Sequence, residues 1–118
     1  MKPYEKFAAW QLCDRLTVEV YAITRGWPSD ERFGLISQAR RAAVSAATNI
    51  AEGTAKRGKS EFRRYLDIAN GSLSELGYLL GLAHRLGFMP RESWEPVEVH
   101  REAAGRATWL LYQRMSKR

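Results

Sequence analysis

Residues 53–60, Gly53-Thr54-Ala55-Lys56-Arg57-Gly58-Lys59-Ser60, satisfy the pattern G-x-x-x-x-G-K-[ST] of loops that wrap nucleotide phosphates. That chemistry needs a strand before the loop and a helix after it. Backbone N–H groups then converge on the phosphate and the lysine reaches it. The preceding stretch, Ala42 to Glu52, is alanine-rich and helical in period, and no hydrophobic run ending in Asp offers a magnesium ligand. Nucleotide hydrolysis is therefore rejected. What survives is a glycine-containing turn that puts Lys59 and Ser60 at a helix N-terminus, able to hold a phosphate of a larger ligand.

Other chemistry is sparser still. Cys13 is the single cysteine, which excludes an intramolecular disulfide framework and any cysteine-based zinc cluster. It falls on the apolar stripe of its helix and reads as a small hydrophobe rather than a nucleophile. His84 and His100 are the two histidines, on different helices, and no Glu-x-x-His pair marks a di-iron bundle. His84 reads as a rim residue and His100 as solvated. Asp14, Glu19, Glu52 and Asp67 form no convincing pair for acid–base work. The expectation is a protein that is not an enzyme, with no catalytic residues, metal site, cofactor or small-molecule substrate.

The strongest functional signal is charge. The chain has 19 Lys and Arg against 13 Asp and Glu, a net charge of +6. Most of the excess is local: Lys56, Arg57, Lys59, Arg63 and Arg64 stand against the lone Glu61 in residues 56–64. A smaller share lies at the C-terminus in Arg114, Lys117 and Arg118. Cations at a helix N-terminus oppose the helix dipole, so another demand selects them. Phosphate binding is one, since counterion release drives association with nucleic acid. Solubility is the competing demand. Tyr65 falls on the core side by period, so aromatic interleaving for base stacking is not evident, and binding would read backbone and shape.

The elements that carry these residues are helices. The 118 residues argue one domain, and a chain of this size buries roughly 65 % of its unfolded surface, enough for a core without metals or disulfides. Apolar residues make up 45 % and charged residues 27 %, too apolar for disorder. No apolar run approaches the roughly 18 residues of a membrane span, and no signal-peptide core is present. Strand signals are nearly absent, whereas helical period recurs four times, over roughly 4–25, 30–56, 60–86 and 91–116. Gly26 with Trp27-Pro28 ends the first, Ser29 or Asp30 caps the second and Ser60 the third, and Gly87 follows the third. Pro96 places the fourth helix's start in doubt: it lies in the first turn or makes a kink. Short connections make sequential helices antiparallel neighbours, hence an all-α, up-down-up-down four-helix bundle spanning residues 1–118.

Projected at 100° per residue, the helices show faces beyond the core. The second helix turns mostly small residues inward: Ile36, Ala39, Ala43, Ala46, Ala47 and Ile50. Opposite them Gln38, Arg41, Ser45, Thr48, Asn49 and Glu52 form a polar stripe; the default is a solvated face, but its lack of Lys–Glu pairs suggests a polar network against another helix or subunit. In the third helix Phe62, Tyr65, Leu66, Ala69, Leu73, Leu76, Leu80 and Ala83 make the core face. Ile68, Leu79, Leu82 and Leu86 form a second apolar strip beside it, either a generous core or a subunit interface.

The run from Phe33 to Ser45 (FGLISQARRAAVS), with Asn49-Ile50-Ala51-Glu52-Gly53, resembles the signature of the four-helix-bundle proteins encoded within intervening sequences of bacterial 23S ribosomal RNA. Trp10-Gln11, Val20-Tyr21, Pro28, Glu31, Ser60-Glu61-Phe62, Ile68-Ala69-Asn70-Gly71-Ser72 and Glu75-Leu76 extend the likeness over roughly residues 5–88. Trp94-Glu95 and Pro96 depart from the pattern in the fourth helix. The resemblance implies a cytoplasmic bacterial bundle assembled as a homopentamer. It also implies distant kinship with the accessory variability protein of diversity-generating retroelements, a basic pentamer that works with nucleic acid and a reverse transcriptase. The expected function is a homo-oligomer that binds RNA or DNA through basic surfaces. The alternative is a protein-interaction scaffold whose charge only confers solubility.

Overall fold

A computed structural model describes residues 1–117. Among these residues four α-helices account for the core: α1 Ala8–Thr24, α2 Leu35–Thr54, α3 Gly58–Arg85 and α4 Arg91–Ser116. Short 3-10 turns, Pro3–Lys6 and Ser29–Glu31, precede α1 and α2. The helices pack in a closed ring, α1 on α2, α2 on α3, α3 on α4 and α4 on α1. Side-chain pairs show that every neighbour is antiparallel. On the α1–α2 seam Arg40 reaches Thr24 at one end and Thr17 reaches the Ala43 carbonyl midway along. Arg101 reaches Leu73 on the α3–α4 seam while Arg63 reaches Met115. The result is a rod of 47 × 23 × 22 Å.

Sequence explains the interior. Ala9, Cys13, Leu16 and Val20 of α1 are buried, and Thr24 joins them with its hydroxyl donating to the Val20 carbonyl at 2.7 Å. In α2 the buried positions are Ala39, Ala42, Ala43 and Ala46 between Ile36 and Ile50; Ala42 joins the expected inward face, and Ala47, expected on it, is half-buried. These small side chains let α1 and α3 approach the α2 axis. The leucines of α3 fill the centre, and Val97, Ala104, Thr108 and Leu111 close the core from α4.

Several boundaries differ from expectation. The first helix is broken at Phe7, whose extended backbone (ψ 128°) separates the 3-10 turn from α1. Gly26 does not take the left-handed conformation; only Gly58 and Gly87 do, each at φ 81°. Neither Ser29 nor Asp30 caps α2, which starts five residues later than expected. The Glu31 carboxylate caps it instead, accepting the Leu35 N–H at 3.0 Å. Ser60 does not cap α3, which begins at Gly58 with Arg57 at the N-cap. The end of α3 follows expectation: Gly87 N–H meets the His84 carbonyl and Phe88 N–H the Ala83 carbonyl, a Schellman closure. Pro96 sits inside a continuous α4, exposed, in its second turn.

At the end of the rod where α3 finishes, Trp27 and Met89 are buried, and the Trp94 indole stacks on His84 at 4.9 Å. His84 Nδ1 donates to the Met89 carbonyl at 3.0 Å, as suits a rim residue with a structural bond. His100 is exposed but not free: it pairs with Glu19 of α1 at 2.8 Å. Burial pushes the Cys13 thiol up to about 12, only partly offset by its hydrogen bond with Thr108, so it is no ready nucleophile.

Candidate nucleic-acid interface

Three chain segments meet at the opposite end of the rod. Helix α2 finishes at Thr54, residues 55–57 turn, and α3 starts at Gly58. The phosphate-loop pattern therefore folds as helix–turn–helix. Its first glycine, Gly53, is buried inside α2, where a Cβ would lie 2.9 Å from both Phe62 Cδ1 and Tyr65 Cβ. Glycine is required there for helix approach, not for cradling phosphate. Gly58 does supply a left-handed backbone, which reverses the chain into α3.

The five basic residues of this turn have different tasks. Lys59 Nζ donates to the Lys117 carbonyl at 3.2 Å, and Arg63 donates to the Met115 carbonyl at 2.7 Å. Both are therefore caps on the C-terminus of α4, where cations complement the negative end of the helix dipole. This supplies a structural demand for two of the cations that sequence periodicity left unexplained. Lys59 is thereby drawn away from the phosphate-holding role expected of it with Ser60. Arg64 pairs with Glu61 at 3.0 Å on the exposed surface; hydrogen bonding and charge from Arg64 hold the Glu61 carboxyl below its ordinary range. Lys56 and Arg64 also lie over the Tyr65 ring, 5.3 and 4.7 Å from its centroid. Tyr65 is half-buried beside two cations rather than a full core residue. Arg57 is exposed at the α3 N-cap, which receives no side-chain hydrogen bond.

The fold adds cations that linear segments kept apart. Lys2 and Lys6 arrive with the N-terminal 3-10 turn, and Arg114 and Lys117 with the end of α4. Among the described residues, the carboxylates on the same segments are Glu5, Glu52 and Glu61. Arg118 lies outside the described residues. At the other end six cations, Arg25, Arg32, Arg40, Arg41, Arg85 and Arg91, stand against four carboxylates, Asp30, Glu31, Glu92 and Glu95. The rod is electrically lopsided, and one end holds most of its excess charge.

The polar stripe of α2 divides. Ser45 and Asn49 form a network with α3: Ser45 Oγ meets Ser72 Oγ at 2.8 Å, and Asn49 Nδ2 donates to Ser45 Oγ and to its carbonyl. Gln38, Arg41, Thr48 and Glu52 are exposed, outside that network. The apolar strip of α3 divides too. Leu79 is 4 % exposed and belongs to the core, and Leu82 is half-buried against it, so neither is an open interface residue in the single chain. The reason is that α3 packs on α2 and α4 together and needs a wide apolar arc. Ile68 and Leu86 are exposed at 41 % and 55 %. Larger exposed aromatics lie elsewhere: Phe33 at 91 % beside Tyr21 and Val44 on the α1–α2 face, and Trp109 at 51 % on α4. Trp109 was legible as an aromatic out of phase with Val97, Ala104 and Leu111, but a lone phase mismatch does not announce a site.

No group of three or more His, Cys, Asp or Glu capable of holding a metal ion occurs among the described residues. No helix among them is long and apolar enough to cross a membrane.

These features define an antiparallel four-helix-bundle protein with one strongly basic end. The model of the 23S rRNA-intervening sequence protein family matches residues 5–107, and the chain belongs to that family. The structure is similar to the crystal structure of a protein of unknown function from the S23 ribosomal protein family of Bacteroides thetaiotaomicron. The TM-score is 0.81 at 19 % identity, covering 90 % of this chain and 99 % of the other. No curated protein matches the sequence.

Proposed function

We propose that the protein is a non-enzymatic homo-oligomeric bundle that binds the backbone of RNA or DNA through its basic end. The observation that carries this reading is the convergence of Lys2, Lys6, Lys56, Arg57, Arg64, Arg114 and Lys117 at one end of the rod with few carboxylates among them. Lys59 and Arg63 are occupied with α4 and add to the field without being free ligands. In an oligomer such ends add their potentials, and a polyanion gains from each copy. The family resemblance implies five copies. The exposed face of Phe33, Tyr21 and Val44 is a surface of the kind that association covers.

Binding is tested by fluorescence anisotropy with labelled oligonucleotides between about 50 and 200 mM salt. Replacing Lys56, Arg57 and Arg64 by glutamine is expected to reduce the slope of log K on log salt by about 2–3, since each phosphate contact contributes roughly 0.7–0.9. Binding that ignores salt, or no binding at about 50 mM, refutes the reading. Light scattering tests assembly independently, and a monomer refutes the oligomer. The second reading, a protein-interaction scaffold, rests on Phe33, whose near-complete exposure in an apolar setting is a liability unless a partner covers it. Co-purification of protein without nucleic acid, lost in Phe33→Ser, would favour it.

A further inference from the structure

The C-terminal half of α4 carries an aromatic surface that charge alone does not use. The core of α4 is served by Val97, Ala104, Thr108 and Leu111, and Trp109 points away from it, 51 % exposed. Tyr112 lies against Trp109 with ring centroids 5.4 Å apart and planes 10° from parallel. One face of the indole is therefore backed by a second ring, while half of the side chain stays open to solvent. Neighbours one turn away on the same helix surface are Arg106 and Gln113, both exposed. Seven residues of helix, roughly 10 Å, separate Trp109 from the end of α4, where Arg114 and Lys117 join the basic surface. An exposed tryptophan held flat by a stacked tyrosine, with cations before and after it along the helix, has the composition of a base-stacking platform.

We propose that Trp109, backed by Tyr112, stacks an unpaired nucleobase, so that the strand held by the basic end is single-stranded. This rests on the nucleic-acid reading above and names the class of nucleic acid. A duplex keeps its base faces buried against one another and offers only phosphates to the basic end. A single strand offers phosphates and a free base face. One stacked base is worth about 5- to 150-fold in affinity.

The test compares a single-stranded oligonucleotide with a duplex of the same length, using wild type, Trp109→Ala and Trp109→Phe. Wild type is expected to prefer the single strand by about tenfold. Trp109→Ala removes that preference and leaves duplex affinity unchanged, while Trp109→Phe retains most of it. The preference does not fall as salt rises, because stacking releases no counterions and a single-strand phosphate contact carries the shallower slope (about 0.7 against about 0.9), whereas both absolute affinities fall with salt. Tryptophan fluorescence is quenched by the single strand, and the quenching is lost in Trp109→Ala. Because Trp109 is exposed, the alanine variant should keep the wild-type melting temperature, which is measured alongside. Salt-dependent binding that treats single strand and duplex alike, or that ignores Trp109→Ala, overturns the stacking proposal and leaves the basic-end reading standing. No binding of either oligonucleotide overturns both. Loss of oligomer mass in Trp109→Ala without loss of single-strand preference assigns the tryptophan to a protein interface and overturns the proposal.

Discussion

Substituting alanine at Gly53 and at Gly71 makes the same chemical change in two helices, and the structure demands opposite outcomes. At Gly53 the new methyl would sit 2.9 Å from Phe62 Cδ1 and 2.9 Å from Tyr65 Cβ. Neither neighbour is the loose end of a long side chain. Phe62 is buried and packed edge-on against Phe7 at 5.8 Å, and the Tyr65 Cβ is tied directly to the α3 backbone. Relief requires α2 and α3 to separate beside the basic turn. Overpacking of this kind costs about 1–3 kcal/mol. Alanine's helix preference returns at most about 1 kcal/mol, and less here because Gly53 is one residue from the end of α2. The net expectation is a loss of about 1–2 kcal/mol, or a fall in melting temperature of roughly 4–8 °C for a domain of this size. At Gly71 nothing lies within 4 Å of the added methyl and the position is exposed in mid-helix. There the helix preference acts alone and adds about 0.5–1 kcal/mol. Thermal and urea unfolding followed by far-UV circular dichroism measure both. A Gly53→Ala protein as stable as wild type, alongside a stabilised Gly71→Ala protein, would refute the claim that close approach of α2 and α3 selects glycine at position 53.

Three further outcomes follow from named contacts. Arg63→Met removes the charged donor to the Met115 carbonyl and is expected to cost about 1–2 kcal/mol, with faster hydrogen exchange in the last turn of α4. A double-mutant cycle of Ser45→Ala and Ser72→Ala should show a coupling of about 0.5–1.5 kcal/mol, and zero coupling would dissolve the α2–α3 polar network. The Cys13 thiol, raised from 9.0 to about 12, is held protonated in the fold. Its contribution is therefore complete below pH 9 and lost as pH rises from there towards 12. Relative to Cys13→Ala, wild type should lose up to about 1.4 kcal/mol per pH unit in that window, measured by urea unfolding.

Much of this molecule is legible in its sequence because helical period is a local property. The order of α1 to α4, the interior stripe of alanines on α2 and the glycine stop at Gly87 all follow from spacing and backbone preference. Helix starts were less legible, because a cap can come from an unexpected side chain: Glu31 reaches back to Leu35 where Ser29 and Asp30 offered the commoner chemistry. The site was half legible. Sequence located the cluster Lys56, Arg57, Lys59, Arg63 and Arg64, yet gave all five one role.

By itself, then, the sequence determined an antiparallel helical bundle and the place along the chain where its charge collects. Only the tertiary structure decided how that charge is used. Antiparallel packing brings the end of α4 onto the first turns of α3, which ties Lys59 and Arg63 to carbonyls more than fifty residues away in the chain. The same packing delivers Lys2, Lys6, Arg114 and Lys117 to the end of the rod that carries Lys56 and Arg57. It buries Leu79 and leaves Trp109 outside. Those outcomes depend on which helices lie side by side and at what level along the rod, and a helical period carries the direction of a side chain but not the identity of its neighbour.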